Sequence, residues 1–279
     1  MPQAEAALSY YDGPDLSAAV LAALEAKGRP VDRVDSDDLA GLDEFHAMGR
    51  PATIAQARLA AVEQGERVLD VGAGIGGPSR VLARYFGARV TALDGTERFC
   101  RLNRTLCERS GLAERVEVVS GDARELPFED ESFDLAWSQA VWQNIEDKAA
   151  VAAEIHRVLR PGGRFALFEL AAGSGGPLHY PVPWADRAGQ SFLITPAEMR
   201  ELLDRTGFVE GAWQEGAGIA SSIQEAAAAG TGLASGVPGV TLELVVPEFQ
   251  ARMAGLARNV EEQRVTMVQA LMRRPGDSR

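Results

Sequence analysis

The stretch Val68-Leu69-Asp70-Val71-Gly72-Ala73-Gly74-Ile75-Gly76-Gly77 decides how this chain is read. A short, mostly apolar run reads as a buried strand. The glycines after it let the backbone turn tightly and approach a ligand. A helix expected near Gly77–Tyr85 then points its first amide groups back at that turn. Gly72, Gly74 and Gly77 satisfy the spacing G-x-G-x-x-G, which a dinucleotide-binding loop also uses. On the glycines alone, a nicotinamide-dependent oxidoreductase competes with any other enzyme that holds a nucleoside.

Outward from the loop, short β-branched runs alternate with helix-length amphipathic segments. RVLDV (67–71), RVTALD (89–94), VEVVS (116–120), FDLAWS (133–138) and RFALFEL (164–170) read as strands. Glu97–Ser110 reads as a helix stopped by Gly111, and Glu146–Leu159 as one stopped by Arg160-Pro161-Gly162-Gly163. This alternation implies βαβ units and a parallel sheet covered on both faces.

After residue 171 the rhythm changes. Residues 171–193 are rich in Gly and Pro, Thr195-Pro196-Ala197-Glu198 opens a capped helix ending at Gly207, and FVEGAWQ (208–214) is a strand. A Gly/Ala-rich, partly helical stretch at 216–260 precedes a last strand, RVTMVQALM (264–272). Before the core, Leu16, Val20, Leu21 and Leu24 form one helical stripe, and Ala55, Leu59 and Val62 another. The expected organisation is an α/β core at 65–279 with insertions at about 171–193 and 216–260, preceded by a helical arm or cap at 1–64.

Three carboxylates bear on which ligand the loop serves. Asp70 lies inside the first strand, two residues before Gly72. An acid there repels a pyrophosphate but suits a ligand carrying an ammonium and a sulfonium. Asp94 ends the second strand, where a carboxylate accepts from both ribose hydroxyls of either cofactor. Asp122, in Gly121-Asp122-Ala123, follows the third strand, where an adenine amino group could donate to it. Any one acid could be a solvated turn residue. Three at the C-terminal ends of consecutive strands mark the face on which open α/β sheets bind ligands.

Composition narrows the partners. In 279 residues, 28 Lys and Arg stand against 40 Asp and Glu, for a net charge of −12. That balance argues against a phosphate backbone of DNA or RNA and against an anionic membrane surface. Neutral or cationic small molecules remain. Cys100 and Cys107 are seven residues apart on one helix, about 10 Å, too far for a disulfide, and there is no C-x-x-C. No basic segment followed by an apolar run opens the chain, and no apolar run approaches the ~20 residues of a membrane helix. A cytoplasmic protein without a metal site is expected, as a monomer or homodimer.

At this point the residues resemble the class I S-adenosylmethionine-dependent methyltransferases. VLDVGAGIGGPSRVLA looks like their first motif, VTALD their second, GDARELPFEDESFDLAWS the third and fourth, and RVLRPGG the turn before the fifth strand. Leu42-Asp43-Glu44-Phe45-His46 through Gly49-Arg50-Pro51-Ala52-Thr53 resembles a segment preceding the core in small-molecule members. Those include sarcosine/dimethylglycine N-methyltransferases, with tocopherol and sterol methyltransferases as more distant relatives. The resemblance implies a Rossmann-like, doubly wound sheet of seven strands, mostly parallel, with a C-terminal antiparallel hairpin at 208–214 and 264–272. It further implies S-adenosyl-L-methionine as cofactor, S-adenosyl-L-homocysteine as its product, and a small-molecule methyl acceptor, with an amine slightly favoured.

Residue by residue, the resemblance has Asp70, Gly72, Gly74 and Gly77 shape the loop around the methionine portion. Asp94 would hold the ribose, with Gly95 and Thr96 bordering the adenine that Asp122 and Ala123 contact. Ser138 and Gln139 would sit near the reacting methyl, and Tyr11, of the pair Tyr10-Tyr11, would close over the cofactor. Many relatives carry a His about one turn after the fourth strand, but Gln139-Ala140-Val141-Trp142-Gln143-Asn144 has none. Methyl transfer needs a base only when the acceptor must lose a proton first. His46 and His179, with Gln139 and Trp142, are therefore the catalytic candidates, and Trp142, Tyr180 and Trp184 the substrate wall. His156 reads as structural, and Arg98 and Arg101 as a solvated helix face. A cofactor-binding protein without catalysis is the third alternative.

Overall fold

The computed structural model describes residues 15–46, 48–216, 218–219, 223–224 and 236–276. The strands are β1 (Arg67–Val71), β2 (Arg89–Asp94), β3 (Val116–Ser120), β4 (Phe133–Gln139), β5 (Leu159–Ala172), β6 (Val209–Glu215) and β7 (Val265–Arg273). They form one sheet in the order β3-β2-β1-β4-β5-β7-β6. The first five pair in parallel, whereas β7 runs antiparallel to both β5 and β6. This is the Rossmann-like arrangement expected, hairpin included. From β1 the chain moves outward to β2 and β3, then returns to place β4 on β1's other side. Connections leaving β1 and β4 in opposite directions open a crevice at the C-terminal ends of these strands.

Helices α1 (Ser17–Ala26), α2 (Ala40–Asp43) and α3 (Gly49–Leu59) precede the sheet. Within and after it come α4 (Gly77–Tyr85), α5 (Glu97–Arg109), α6 (Lys148–Val158), α7 (Pro196–Arg205) and α8 (Phe249–Glu261). Local chemistry sets several ends. Asp147 accepts from the Ala150 amide and starts α6 two residues later than the apolar pattern suggests. Thr195 and Glu198 close a reciprocal capping box on α7, behind Pro196. The first stripe becomes α1; in the second, Val62 falls beyond α3, because Ala61 turns the chain at φ 50°.

Two further differences have physical reasons. The run Arg160–Gly163 does not end the sheet: Leu159 already pairs with Phe133, and the ladder absorbs the turn through a register shift before Leu135. Arg98 is buried rather than solvated, because its guanidinium lies over the Phe99 ring and reaches the Val245 carbonyl.

Apolar side chains cover both faces of the sheet. A third cluster joins Leu16, Val20 and Leu24 of the arm to Leu102 and Leu106 of α5 and to Val237, Val240 and Val245. The arm and the late insertion thus share one apolar patch over α5. Buried Gln56 on α3 donates to the carbonyls of Leu167 and Ala270, fixing the arm across β5 and β7. At the crevice, α8 docks on the segment after β5. Asn259 exchanges hydrogen bonds with the His179 backbone, Gly255 lets the Pro181 carbonyl approach, and Arg252 reaches Asp186 and the Val182 carbonyl.

Candidate active site

The glycines of the loop do different jobs. Gly72 turns at φ 73°, and a Cβ there would meet Val141 at 2.5 Å. Gly76, at φ 85°, would put its Cβ 1.9 Å from Asn103. Gly77 would clash at 1.9 Å with the Asp43 carbonyl, so its smallness seats the arm rather than a ligand. Gly74 alone of these four opens onto space, with nothing within 4 Å of where a Cβ would stand. That space belongs to a cavity of about 560 Å³ at the crevice, within the range typical of small-molecule sites.

The three acids chosen from sequence all line this cavity. Asp94 accepts from the Gly74 amide and the Thr96 amide, each at 2.8 Å, and burial raises its pKa. Those bonds lock the glycine loop to the end of β2. Asp70 is buried against Ser79, whose hydroxyl donates at 2.5 Å, and burial lifts its pKa to about 7. Asp122 is gripped by the Arg124 guanidinium, whose hydrogen bonds hold its pKa below the usual range. Gly95, Thr96 and Ala123 also line the cavity.

The arm brings a second polar group to the same space. His46 Nε2 lies 2.8 Å from Glu44 Oε2, and Thr53 donates to that carboxylate at 3.0 Å. Arg50 Nε approaches the other Glu44 oxygen at 3.2 Å. Burial works to raise the Glu44 pKa, but His46, Arg50 and Thr53 outweigh it and keep the group below its ordinary value. A carboxylate can only accept, so Nε2 of a neutral His46 carries the proton and Nδ1 is left basic. Nδ1 lies on the side of Gln139, 3.4 Å from its Nε2, while Gln139 Oε1 accepts from the Trp137 indole at 3.1 Å. His46, Glu44 and Gln139 all line the cavity.

Other sequence-chosen residues sit elsewhere. Trp142 is not a cavity wall: it is 1% exposed and stacks on Phe165 in the core. Ser138 also stays inside, donating to Glu169. His179 lies on the docked segment with Nε2 2.8 Å from Glu262, and neither it nor Tyr180 lines the cavity. Trp184 does line it. Tyr11 falls outside the described residues. Sequence reasoning missed Glu44, whose partners His46, Arg50 and Thr53 come together only when the chain turns from α2 into α3. It also missed Glu169, a lone acid within the apolar run of β5. Its carboxylate accepts from the Val141 and Trp142 amides at 2.8 and 3.0 Å and so shapes the loop leaving β4. Burial raises its pKa to about 7. Among the described residues, no group of His, Cys, Asp and Glu could hold a metal ion, and no helix is long and apolar enough to cross a membrane.

Residues 69–167 match the family model of a methyltransferase domain. With this sheet order and loop, that stretch is similar to the methyltransferase domains of the relatives below. It is 36% identical over 143 residues to a sarcosine/dimethylglycine N-methyltransferase of Halorhodospira halochloris, covering 51% of each. It is 37% identical over 108 residues to a sterol 24-C-methyltransferase of Gibberella zeae, covering 39% of this chain and 28% of that one. The chain spans between about a quarter and about half of the curated relatives it matches. Its fold is similar to that of a Haemonchus contortus phosphoethanolamine N-methyltransferase, at TM-score 0.65 and 22% identity, covering 85% of this chain and 56% of that one.

Proposed function

We propose that the protein transfers a methyl group from S-adenosylmethionine to a small-molecule acceptor, with residues 1–64 acting as a cap on the catalytic core at 65–279. One observation carries the reading: Asp70, Asp94 and Asp122, from the ends of β1, β2 and β3, line one cavity beside the open face of Gly74. That donor and acceptor set fits the cofactor. Asp70 offers a carboxylate to its ammonium, Asp94 to its ribose hydroxyls and Asp122 to its adenine amino group. When bound, the cofactor supplies an electrophilic methyl on sulfur.

The chain's own work is then alignment and exclusion of water, since the displacement neutralises charge rather than creating it. The loop leaving β4 is fixed by Glu169, and α8 with the docked segment after β5 closes over the crevice. His46 Nδ1, which faces Gln139, would take a proton from an acceptor that must lose one, with Glu44 holding the ring. The curated relatives are named for sarcosine and dimethylglycine and for sterols, so acceptors with and without a charged group both occur among them. Equilibrium binding tests the reading against an oxidoreductase. S-adenosylhomocysteine is expected to bind and NADH not; tight NADH binding without S-adenosylhomocysteine overturns it.

A further inference from the structure

We infer that the methyl acceptor is a mainly apolar, neutral or cationic molecule that carries no carboxylate or phosphate. This rests on the methyltransferase reading and narrows it. Away from the cofactor acids, the cavity is walled by Leu170, Trp184, Phe192, Phe249, Met253 and Leu256. They come from the end of β5, the docked segment and α8. Trp184 spends its indole N–H on Ser191 at 2.9 Å, so its ring is what the cavity meets.

Among the described residues, no unengaged cation lines this wall: Arg124 is the only Lys or Arg of the lining, and it is engaged by Asp122. His46 stands against Glu44. Behind the lining, Arg80 pairs with Asp43, and Arg50 with Asp37 and Glu44. Lys148 donates to the Ile145 and Phe192 carbonyls, and Arg252 reaches Asp186 and two carbonyls. The residues outside the described set contain no Lys, Arg or His except Arg279. An anionic acceptor would thus be desolvated among carboxylates without a counter-ion from the protein, a cost that a small skeleton does not offset.

The test uses the full chain saturated with S-adenosylhomocysteine and reads calorimetric affinity for butyl-, hexyl- and octylamine and for carboxylates of matching length. Amine affinity is expected to rise about threefold per added methylene. Carboxylates are expected to bind at least about tenfold more weakly at every length. Met253→Arg, at a partly exposed position of the wall, should shrink that gap to within about threefold by supplying the missing counter-charge. Carboxylates binding as well as amines, absence of amine binding, or affinity that ignores chain length overturns the inference. So does a gap that Met253→Arg leaves unchanged. Failure of S-adenosylhomocysteine to bind in the first step instead overturns the methyltransferase reading.

Discussion

Gly74 and Asp94 meet across 20 residues of one βαβ unit, whereas His46 and Gln139 meet across 93. The two pairs stand for the two halves of the cavity, the one proposed for the cofactor and the one proposed for the acceptor. The cofactor half is made where each strand turns into its connection, so backbone geometry and one acid per turn define it. The acceptor half is assembled from the arm, the segment after β5 and α8, whose neighbours are far apart in sequence. A local half is rigid and general, while an assembled half is free to take on a substrate of its own.

The sharpest way to break this comparison is at Asp94. Asp94→Ala removes the acceptor of both the Gly74 and Thr96 amides and the carboxylate assigned to the ribose. Charge-assisted bonds lost in pairs should weaken S-adenosylhomocysteine binding by about 10²- to 10³-fold in calorimetry. Unchanged affinity would show that the local half does not hold the cofactor. The next effect belongs to the assembled half. His46→Gln should lower kcat about 10²-fold while S-adenosylhomocysteine affinity moves less than about threefold. Glu44→Gln, which leaves the ring but loses its orienting charge, should cost about tenfold. Equal losses in cofactor affinity would place His46 in the cofactor half instead.

Asp70 joins the halves, and its titration separates them. Its folded pKa, about 7, stands above the ordinary 3.8 because it is buried. The stability it contributes is therefore present below the unfolded value and lost as pH rises through about 7. A ligand ammonium needs the charged form, so binding changes in the opposite sense. S-adenosylhomocysteine affinity should rise about tenfold from pH 6 to 8 while the ligand-free protein's Tm falls over the same interval. Asp70→Asn should flatten both profiles. An affinity that climbs as pH falls contradicts the assignment.

Where sequence was legible follows the same division. The alternation of strand and helix and the cavity positions of Asp70, Asp94 and Asp122 follow from residues that act on near neighbours, whereas the reversed hairpin was legible only through the family resemblance. Gly76 escaped notice because its reason for being glycine is Asn103, on the next helix. Glu44 and Glu169 escaped for a related reason. An acid in LDEFH or in FALFEL is legible only once Thr53 and Arg50, or the amides of Val141 and Trp142, have folded against it. Trp142 was misread because an aromatic after β4 can turn either way, and the amide bonds to Glu169 turn this one inward.

The smallest expected effect concerns the two residues that sequence set side by side on the segment after β5, His179 and Trp184. Their packing separates them. His179 is engaged with Glu262, which Arg258 and Arg264 also bind, and that cluster holds α8 to the segment from outside the cavity. Trp184 is 3% exposed and forms part of the cavity wall. Trp184→Ala should therefore raise the acceptor KM about tenfold, by leaving a hole in the wall that the acceptor packs against. His179→Gln keeps a hydrogen-bonding group opposite Glu262 at a partly solvated position. Its kcat/KM should change by less than about twofold, and kcat should show the same pH profile as the unaltered enzyme. A lost pH limb would return His179 to the reacting centre and would mean that α8 and its docked segment close further than their present contacts hold them.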